Sequence, residues 1–395
     1  MVSNTVTLTI GNQKITGWKN IRVTRGIERC PNDFDIAMTE YFPAGDIQNV
    51  TVKPGDECQL KIGDDVVVTG YIDRYLPRIT PTSHTIRVMG RGKCQDLVDC
   101  SAEWPGGQIT GATALEIAKN IANVYGIQVI ESPRSQEAKY DQLPIPTVNL
   151  ILTETAWEVI ERTCRFRGLL AYEQADGTLY LSRVGDASMG NGFSVGDNVQ
   201  SAVAEHSMDQ RYSEYRAKIQ SIELYHDMQG VQNGNDVWLE KDPNVPRHRL
   251  MNIIAETGDP GLGVVKMRAM WEAVRRIGRS TKVYLTTDTW RDKDGKLWEP
   301  NTYVPLNLPP LKVVTEGKGW IIGEVTYKMD DRGGTTAELL LMPPNAFIPE
   351  PILLQPFLAE FANVQIPDQP TLDLQWQKPT QSTNPVDYLK KKYGQ

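Results

Sequence analysis

Apolar and polar positions change their spacing several times along the chain, and the changes divide it. From Val283 to Met342, short β-branched and aromatic runs (Val283-Tyr284-Leu285, Leu297-Trp298, Tyr303-Val304, Trp320 to Tyr327, Thr335 to Met342) are separated by Asp294-Gly295, Pro300-Asn301 and Gly333-Gly334. Such runs broken by turn pairs predict an antiparallel meander of four strands that bends into a small barrel. A similar order stands near the N-terminus, where Lys53-Pro54-Gly55-Asp56 precedes Cys58 to Ile62, Val66 to Asp73 and Thr85 to Met89. Gly70 to Met89 overlays Gly323 to Met342 without a gap, though few residues are identical. The overlay predicts a duplication, one barrel near each end; that any two meanders look alike is the alternative.

The chain opens on a predicted hairpin, Val6 to Ile10 and Lys14 to Val23 about Gly11-Asn12, and Phe34 to Thr39 adds a strand. The first barrel ends near Asp96. The spacing then becomes helical. Thr113-Ala114-Leu115-Glu116 is a capping box, apolar residues follow at Leu115, Ala118, Ile121, Ala122 and Tyr125, and Gly126 suits a left-handed C-cap. A strand is predicted at Ile127 to Ile130. Thr153 is placed to cap a second helix carrying Ala156, Trp157, Ile160 and Cys164 on one face, with Gly168 as its stop. Leu169 to Glu173, the turn Ala175-Asp176-Gly177 and Thr178 to Ser182 read as a hairpin, completing an α/β module.

Gly185 to Asp197 reads as a linker or exposed loop, Glu214 to Tyr225 as a strand, and Gln229 to Pro246 as a mobile loop. A third helix is predicted over Gly263 to Ile277, with Val264, Met267, Met270, Trp271, Val274 and Ile277 on one side and Lys266, Arg268, Arg275, Arg276 and Arg279 elsewhere. That basic face is solvated or meets an acidic neighbouring chain, with DNA readout a poor third. After Met342, prolines break up the apolar groups. Ile348, Ile352, Leu353, Phe357 and Phe361 are too apolar to leave in water and too interrupted to form a core, so they are the candidate contacts to a partner, or to the chain's own second barrel. The expected class is α+β, mainly β: two similar small antiparallel β-barrel domains (1–96 and 196–345, the second with a helical insertion around 240–280) flanking an α/β module (97–195), with a proline-rich C-terminal extension (346–395).

Composition narrows the function. The 395 residues suit about three domains, and 40% hydrophobic with 23% charged residues is ordinary for a soluble protein. No run approaches the roughly 18 apolar residues of a membrane span, and Met1 to Thr5 does not open a signal peptide, which predicts folding in the cytoplasm of the producing cell. Five scattered cysteines, without a CxxC pair or zinc spacing to histidine, predict reduced thiols. The net charge of −7 argues against specific nucleic-acid binding. Asp292, Asp294 and Gly295 match part of a calcium loop, but Trp290 stands where an oxygen ligand belongs and no closing Glu follows. His84, His206, His226 and His248 lie in no nucleophile context, and Gly90-Arg91-Gly92-Lys93 is no phosphate loop. Asp64-Asp65 and Asp330-Asp331 fall in turns. No catalytic, cofactor or metal site is expected, and no enzyme.

Three stretches resemble the baseplate hub proteins of contractile-tailed phages, in particular the hub family of phage Mu and its relatives. They are Thr155 to Leu181 with its Arg165-Phe166-Arg167-Gly168 helix end, Trp290-Arg291-Asp292 through Leu297-Trp298-Glu299-Pro300-Asn301, and Trp320 to Tyr327 running on to Leu341-Met342-Pro343-Pro344-Asn345-Ala346-Phe347. The likeness spans most of residues 1–347. It implies a structural homotrimer around a central channel in the virion's tail baseplate, assembled in the host bacterial cytoplasm, that adapts the sixfold tail tube to the threefold spike. The partners so implied are further copies of the chain, the spike or central baseplate protein, the tail tube or tape-measure protein, and wedge proteins. Membrane insertion and nucleic-acid recognition are not expected. The hub of a secretion-system or tailocin spike is the nearest alternative, and a tail-associated cell-wall hydrolase a more distant one.

Overall fold

The computed structural model describes residues 3–39, 52–137, 141–218, 237–254, 262–315, 317 and 319–350. In the N-terminal region the strands are β1 (Val6–Ile10), β2 (Gln13–Ile15), β3 (Asn20–Gly26), β4 (Asp33–Thr39), β5 (Glu57–Ile62), β6 (Asp65–Thr80) and β7 (Ser83–Gly92). Then follow α1 (Gln95–Asp99), β8 (Gln108–Ala112), α2 (Ala114–Asn123), β9 (Val129–Glu131), α3 (Pro133–Glu137), β10 (Ile145–Asn149), α4 (Ala156–Phe166), β11 (Leu170–Glu173) and β12 (Leu179–Ser182). The remainder comprises β13 (Ala187–Ser188), β14 (Phe193–Ser194), β15 (Val199–His206), β16 (Glu214–Lys218), β17 (Val237–Lys241), β18 (Leu250–Ile254), α5 (Leu262–Arg279), β19 (Thr281–Thr287), β20 (Thr302–Val304), β21 (Leu306–Leu308), β22 (Val313–Val314), β23 (Trp320–Asp330) and β24 (Gly334–Met342).

The protein is mainly β. Strands from both ends of the chain share one 13-stranded sheet, in the order β15-β19-β24-β23-β3-β4-β7-β6-β5-β1-β2, with β20 beside β23 and β13 beside β20. The seam is β3 against β23, antiparallel from Gly26 opposite Glu324 to Ile21 opposite Met329. Alternation inside the strands puts Leu8, Val23, Phe34, Leu60 and Val68 from the first half into one apolar core with Val283, Leu285, Trp290, Trp298, Val325, Tyr327 and Leu341 from the second. Among the described strands the pairing is an open path ending at β2 and β15, without ring closure.

The two long hairpins, β6–β7 and β23–β24, share a feature that the gapless overlay mismatched. Each carries one bulge in its first strand, at Asp73 and at Gly323. Matching the bulges sets Asp73 on Gly323, three residues away from the overlay of Gly70 on Gly323; a bulge adds a residue to one strand alone, so residue spacing hides the register.

Other boundaries also moved. The predicted second arm, Lys14 to Val23, is split: β2 pairs with β1, Gly17 turns the chain at φ +85°, and β3 leaves to pair with β4 and β23. The second helix of the module is capped by Thr155, not Thr153; Thr155 and Glu158 form the reciprocal capping box, while Thr153 has a left-handed φ of 76°. Gly185 to Asp197 is no free linker: β13 and β14 pair in parallel with β20 and β21, and Phe193 is buried against Trp298, ring centroids 4.3 Å apart. Of the expected loop Gln229 to Pro246, residues 229–236 lie outside the description, and Val237–Lys241 is a strand opposite β16. The region from Val283 to Met342 holds six strands where four were expected.

The α/β module has its own core, with Ile117, Ala118 and Ile121 of α2 against Val159, Ile160 and Cys164 of α4 and Val129, Leu179 and Leu181 of the three-stranded sheet β11-β12-β9. A smaller core joins β16, β17 and β18 to α5. There the helix buries Val265, Ala269 and Ala273, which lie close on Tyr215 and Ala217; of the predicted apolar side, Val274 is buried and Met267, Met270, Trp271 and Ile277 are half-buried.

Candidate assembly surfaces

The modules meet on strand β11. Its four residues are all buried, with Ala171 in the module's core and Leu170 and Tyr172 on the other side against Ile27, Ile321, Met342 and Phe347. Two polar side chains close this junction. Glu173 accepts from the Asn32 N–H at 2.7 Å and the Cys94 N–H at 2.8 Å, and its own carbonyl accepts from Asn32 Nδ2 at 3.0 Å. Burial pushes its carboxyl up to about 7, against those hydrogen bonds, which favour the anion. Asn301, 1% exposed and left-handed at φ 59°, donates from Nδ2 to Tyr172 Oη (3.2 Å), Ser182 Oγ (3.1 Å) and the Arg183 carbonyl (2.9 Å), and accepts the Gly185 N–H at 2.7 Å. Asn tolerates left-handed backbone better than most other side chains, and here both ends of its amide find partners, which accounts for its place in Trp298-Glu299-Pro300-Asn301.

The neighbouring motif does similar work. Trp290 Nε1 donates to the carbonyls of Lys328 and Thr336. Arg291, almost wholly buried, reaches Asp65 at 2.5 Å, the Ile62 carbonyl at 2.8 Å and Asn4 at 3.1 Å, tying the second half to the first. Asp292, which matches part of a calcium loop in sequence, accepts the N–H groups of Asp294 and Lys296 and so closes the turn at Gly295. Among the described residues no group of three or more His, Cys, Asp and Glu could hold a metal ion, and no helix is long and apolar enough to cross a membrane. His206 faces the Leu311 carbonyl at 3.3 Å, and His84 sits in β7 near the tip of the β6–β7 hairpin. His226 lies outside the described residues.

The basic side of α5 is occupied by the protein itself, which corrects the expectation of a solvated face. Trp271 Nε1 and Arg275 Nη1 both donate to the Ile348 carbonyl, at 2.9 and 2.7 Å, and Arg279 Nε donates to the Ala346 carbonyl at 3.1 Å. Arg275 and Arg279 also pair with Glu28. Glu350 sits between Arg165, at 2.7 Å, and Arg268, while Arg276 pairs with Glu272 at 2.5 Å. Residues Pro344–Phe347 form a short turn whose Phe347 ring is buried, and room for it comes from two glycines: a Cβ at Gly278 would overlap the backbone of Ala346, and one at Gly323 the Phe347 ring. Of the five apolar candidates, Ile348 is half-buried in this clamp; Ile352, Leu353, Phe357 and Phe361 lie outside the described residues.

The apolar side chains left exposed are elsewhere. Leu152 is 91% exposed beside Ile151, on a turn closed by Glu154, which accepts the Ile151 N–H and pairs with Arg162 at 2.8 Å. Val203 of the terminal strand β15 stands opposite Tyr284, both exposed, and Ile79 projects near the tip of β6–β7. None of these was singled out from sequence; an apolar pair such as Ile151-Leu152 just ahead of a helix cap is the one local signal available.

Comparison with known proteins bears on what these surfaces serve. Residues 5–92 match the family described as Mu phage baseplate assembly protein GpP-like, N-terminal; residues 94–183 the baseplate hub protein gp44-like second domain; and residues 263–350 the Mu phage baseplate assembly protein GpP fourth domain. The chain is 30% identical over 356 residues to the baseplate hub protein gp44 of Escherichia phage Mu, covering 88% of this chain and 90% of that one. Among solved structures, it is similar to the 43 kDa tail protein of prophage MuSo2 from Shewanella oneidensis, with 29% identity, a TM-score of 0.75, and 87% and 99% of the two chains covered. A type VI secretion system component from E. coli shares the fold at 10% identity and a TM-score of 0.53, covering 88% of this chain and 79% of that one.

Proposed function

The chain belongs to the phage Mu baseplate hub family, and from that premise we propose that it is a structural hub of a contractile phage tail, a homotrimer around a central channel that adapts a sixfold tail tube to a threefold spike. The observation that carries this reading is the pair of bulged hairpins, β6–β7 and β23–β24, on opposite sides of the β3–β4 centre of one sheet. Two related β units in each chain give six in a trimer, which is how three subunits can meet a sixfold ring. The open edges at β15 and β2 are strands that a neighbouring copy would cover. Tube or tape-measure protein on one side, spike on the other and wedge proteins outside are the partners of this arrangement, in the virion's baseplate after assembly in the host cytoplasm. A channel that passes DNA works best with a neutral or acidic wall, so Arg268, Arg275 and Arg276 belong away from the axis; their pairing with Glu350, Glu28 and Glu272 agrees with that.

Light scattering on the purified protein tests the stoichiometry: three copies of 44.3 kDa are expected, and a stable even-numbered oligomer refutes the reading. A secretion-system or tailocin hub is the second reading, favoured by the shared fold with the type VI component and weakened by its 10% identity. Incubating the protein with peptidoglycan separates both from a hydrolase.

A further inference from the structure

We propose that the cleft between the first half of the chain, α4 and α5 is a docking groove for the chain's own next segment, Pro351-Ile352-Leu353-Leu354-Gln355-Pro356-Phe357-Leu358-Ala359, which lies in it while the protein is free. The cleft measures about 710 Å³, and its walls include Cys30 of the first half, Trp157 of α4, Trp271 of α5, and Phe347 and Pro349 of the clamped C-terminal stretch. Trp157, Trp271, Pro349 and Cys30 are each half-buried, so each keeps surface for a guest.

Charge, position and backbone select this occupant. Every charged side chain lining the cleft already has an opposite charge: Glu28 pairs with Arg275, Arg29 with Asp33, Arg165 with Glu161 and Glu350, and Arg91 with Asp73 and Asp99. What remains to be covered is aromatic and apolar, which suits an uncharged guest. Residues 351–359 carry no charge, and Glu360 ends the run. Pro349 and Glu350 are themselves part of the wall, with Glu350 held by Arg165 and Arg268, so residue 351 starts at the cleft. A sphere of 710 Å³ is about 11 Å across, which four extended residues span at roughly 3.3 Å each. Pro351 and Pro356 exclude a helix and favour the extended polyproline form, the form that docks in aromatic-lined grooves.

Tethering sets the strength. A directly attached segment stands at an effective concentration on the order of 1 to 2 mM, so a groove that would bind the free peptide at about 1 mM is filled one half to two thirds of the time and its lining is protected about two- to threefold. That factor corresponds to about 0.4 to 0.7 kcal/mol, too little to move the melting temperature by much more than about 2 °C and little enough to release the same side chains to a partner. The inference concerns the free chain and does not depend on the hub reading.

Cys30 is the reporter, since it lines the cleft while Cys58, Cys94 and Cys164 are buried. The full chain carrying Cys100→Ser, which removes the exposed thiol, is labelled with a maleimide and the rate at Cys30 is read by peptide mass. The same chain with Leu353→Asp and Leu354→Asp is expected to label two- to threefold faster, and a control with Leu372→Asp and Leu374→Asp at the parent rate. The protection is expected to be equal at low and high protein concentration, because the guest is attached. The buried cysteines stay unlabelled in a folded chain, so they report any unfolding separately. Equal rates in the parent and the Leu353→Asp, Leu354→Asp chain, or an equal rise in the control, overturn the proposal. Protection that grows with protein concentration also overturns it and assigns the groove to a second copy.

Discussion

Replacing Asn301 tests whether the modules are held together by the side chains at their junction. Asn301→Ala removes three donated hydrogen bonds and one accepted from the Gly185 N–H, all inside a site that is 1% exposed. Tyr172 and Ser182 have hydroxyls that can turn to other partners, so the unavoidable losses are the buried Gly185 N–H and the Arg183 carbonyl, about 1 to 3 kcal/mol each when stranded. Holding alanine at φ 59° adds about 1 to 2 kcal/mol, since its Cβ crowds the following carbonyl. Together these give a destabilisation of about 3 to 8 kcal/mol, read as a lowered urea midpoint by circular dichroism. Asn301→Gly carries the same hydrogen-bond loss without the crowding, and is expected to recover about 1 kcal/mol of it. The account fails if Asn301→Ala stays within about 0.5 kcal/mol of the parent, the range of ordinary surface substitutions, or if glycine proves worse than alanine.

Glu173 gives a pH signature. Its folded-state value, about 7, lies above the unfolded one, so the folded protein binds the extra proton; the stability it contributes is full below about pH 4.5 and lost as pH rises through 7, up to about 3 kcal/mol in all, and Glu173→Gln should flatten the Tm profile over that window. Gly278→Ala places a Cβ against the Ala346 backbone and should expose the Pro344–Glu350 segment to limited proteolysis while the α/β module keeps its protection; unchanged cleavage would show that the turn does not depend on that glycine. Deleting residues 351–395, which keeps Glu350 on Arg165 and Arg268, should leave Tm within about 2 °C while abolishing capture of the spike protein, 1 kcal/mol corresponding to roughly 2 to 4 °C in a chain of more than 150 residues; a folded truncation that still captures the spike removes the role assigned to Ile352, Leu353, Phe357 and Phe361.

Local signals were legible where a segment's own residues decide its state. The Thr113–Glu116 capping box, Gly126 and the hairpin about Asp176-Gly177 are where spacing placed them, because caps and turns are satisfied within a few residues. What spacing missed depends on distant partners. Thr153 and Thr155 are both competent caps with a carboxylate nearby, and only the turn closed by Glu154 decides between them. Residues 187–194 are polar and glycine-rich, yet Ala187–Ser188 and Phe193–Ser194 are strands because β20 and β21, over 100 residues later, offer them free edges. The arginines of α5 have the pattern of a solvated face, and nothing within the helix indicates that Ala346, Ile348, Glu350 and Glu28 will meet them. Glu173 carried one readable sign, a carboxylate ending an otherwise apolar strand, but its partners Asn32 and Cys94 come from another module.

These distant partners also say how the molecule answers force. Arg291 joins the second half of the chain to Asp65 and Ile62 of the first, Glu173 joins the module to Asn32, Asn301 joins it to the second half, and Glu28 joins the first half to α5. Sliding any one module past another strands at least one buried donor or acceptor, at about 1 to 3 kcal/mol for each group, before the shared core is opened at all. The cost is greater than that of a single surface contact because the β3–β23 ladder and its core must part in the same movement. Loads applied at either end of the sheet therefore pass through a body that moves as one. A partner pulling on the chain beyond Glu350 pulls first on Arg165 and Arg268, and then on the Ile348 and Ala346 carbonyls held by Trp271, Arg275 and Arg279. Because Glu350 is held by Arg165 of α4 and Arg268 of α5 at once, the pull is shared between the α/β module and the second half instead of being borne by one alone, which suits the hub role proposed above.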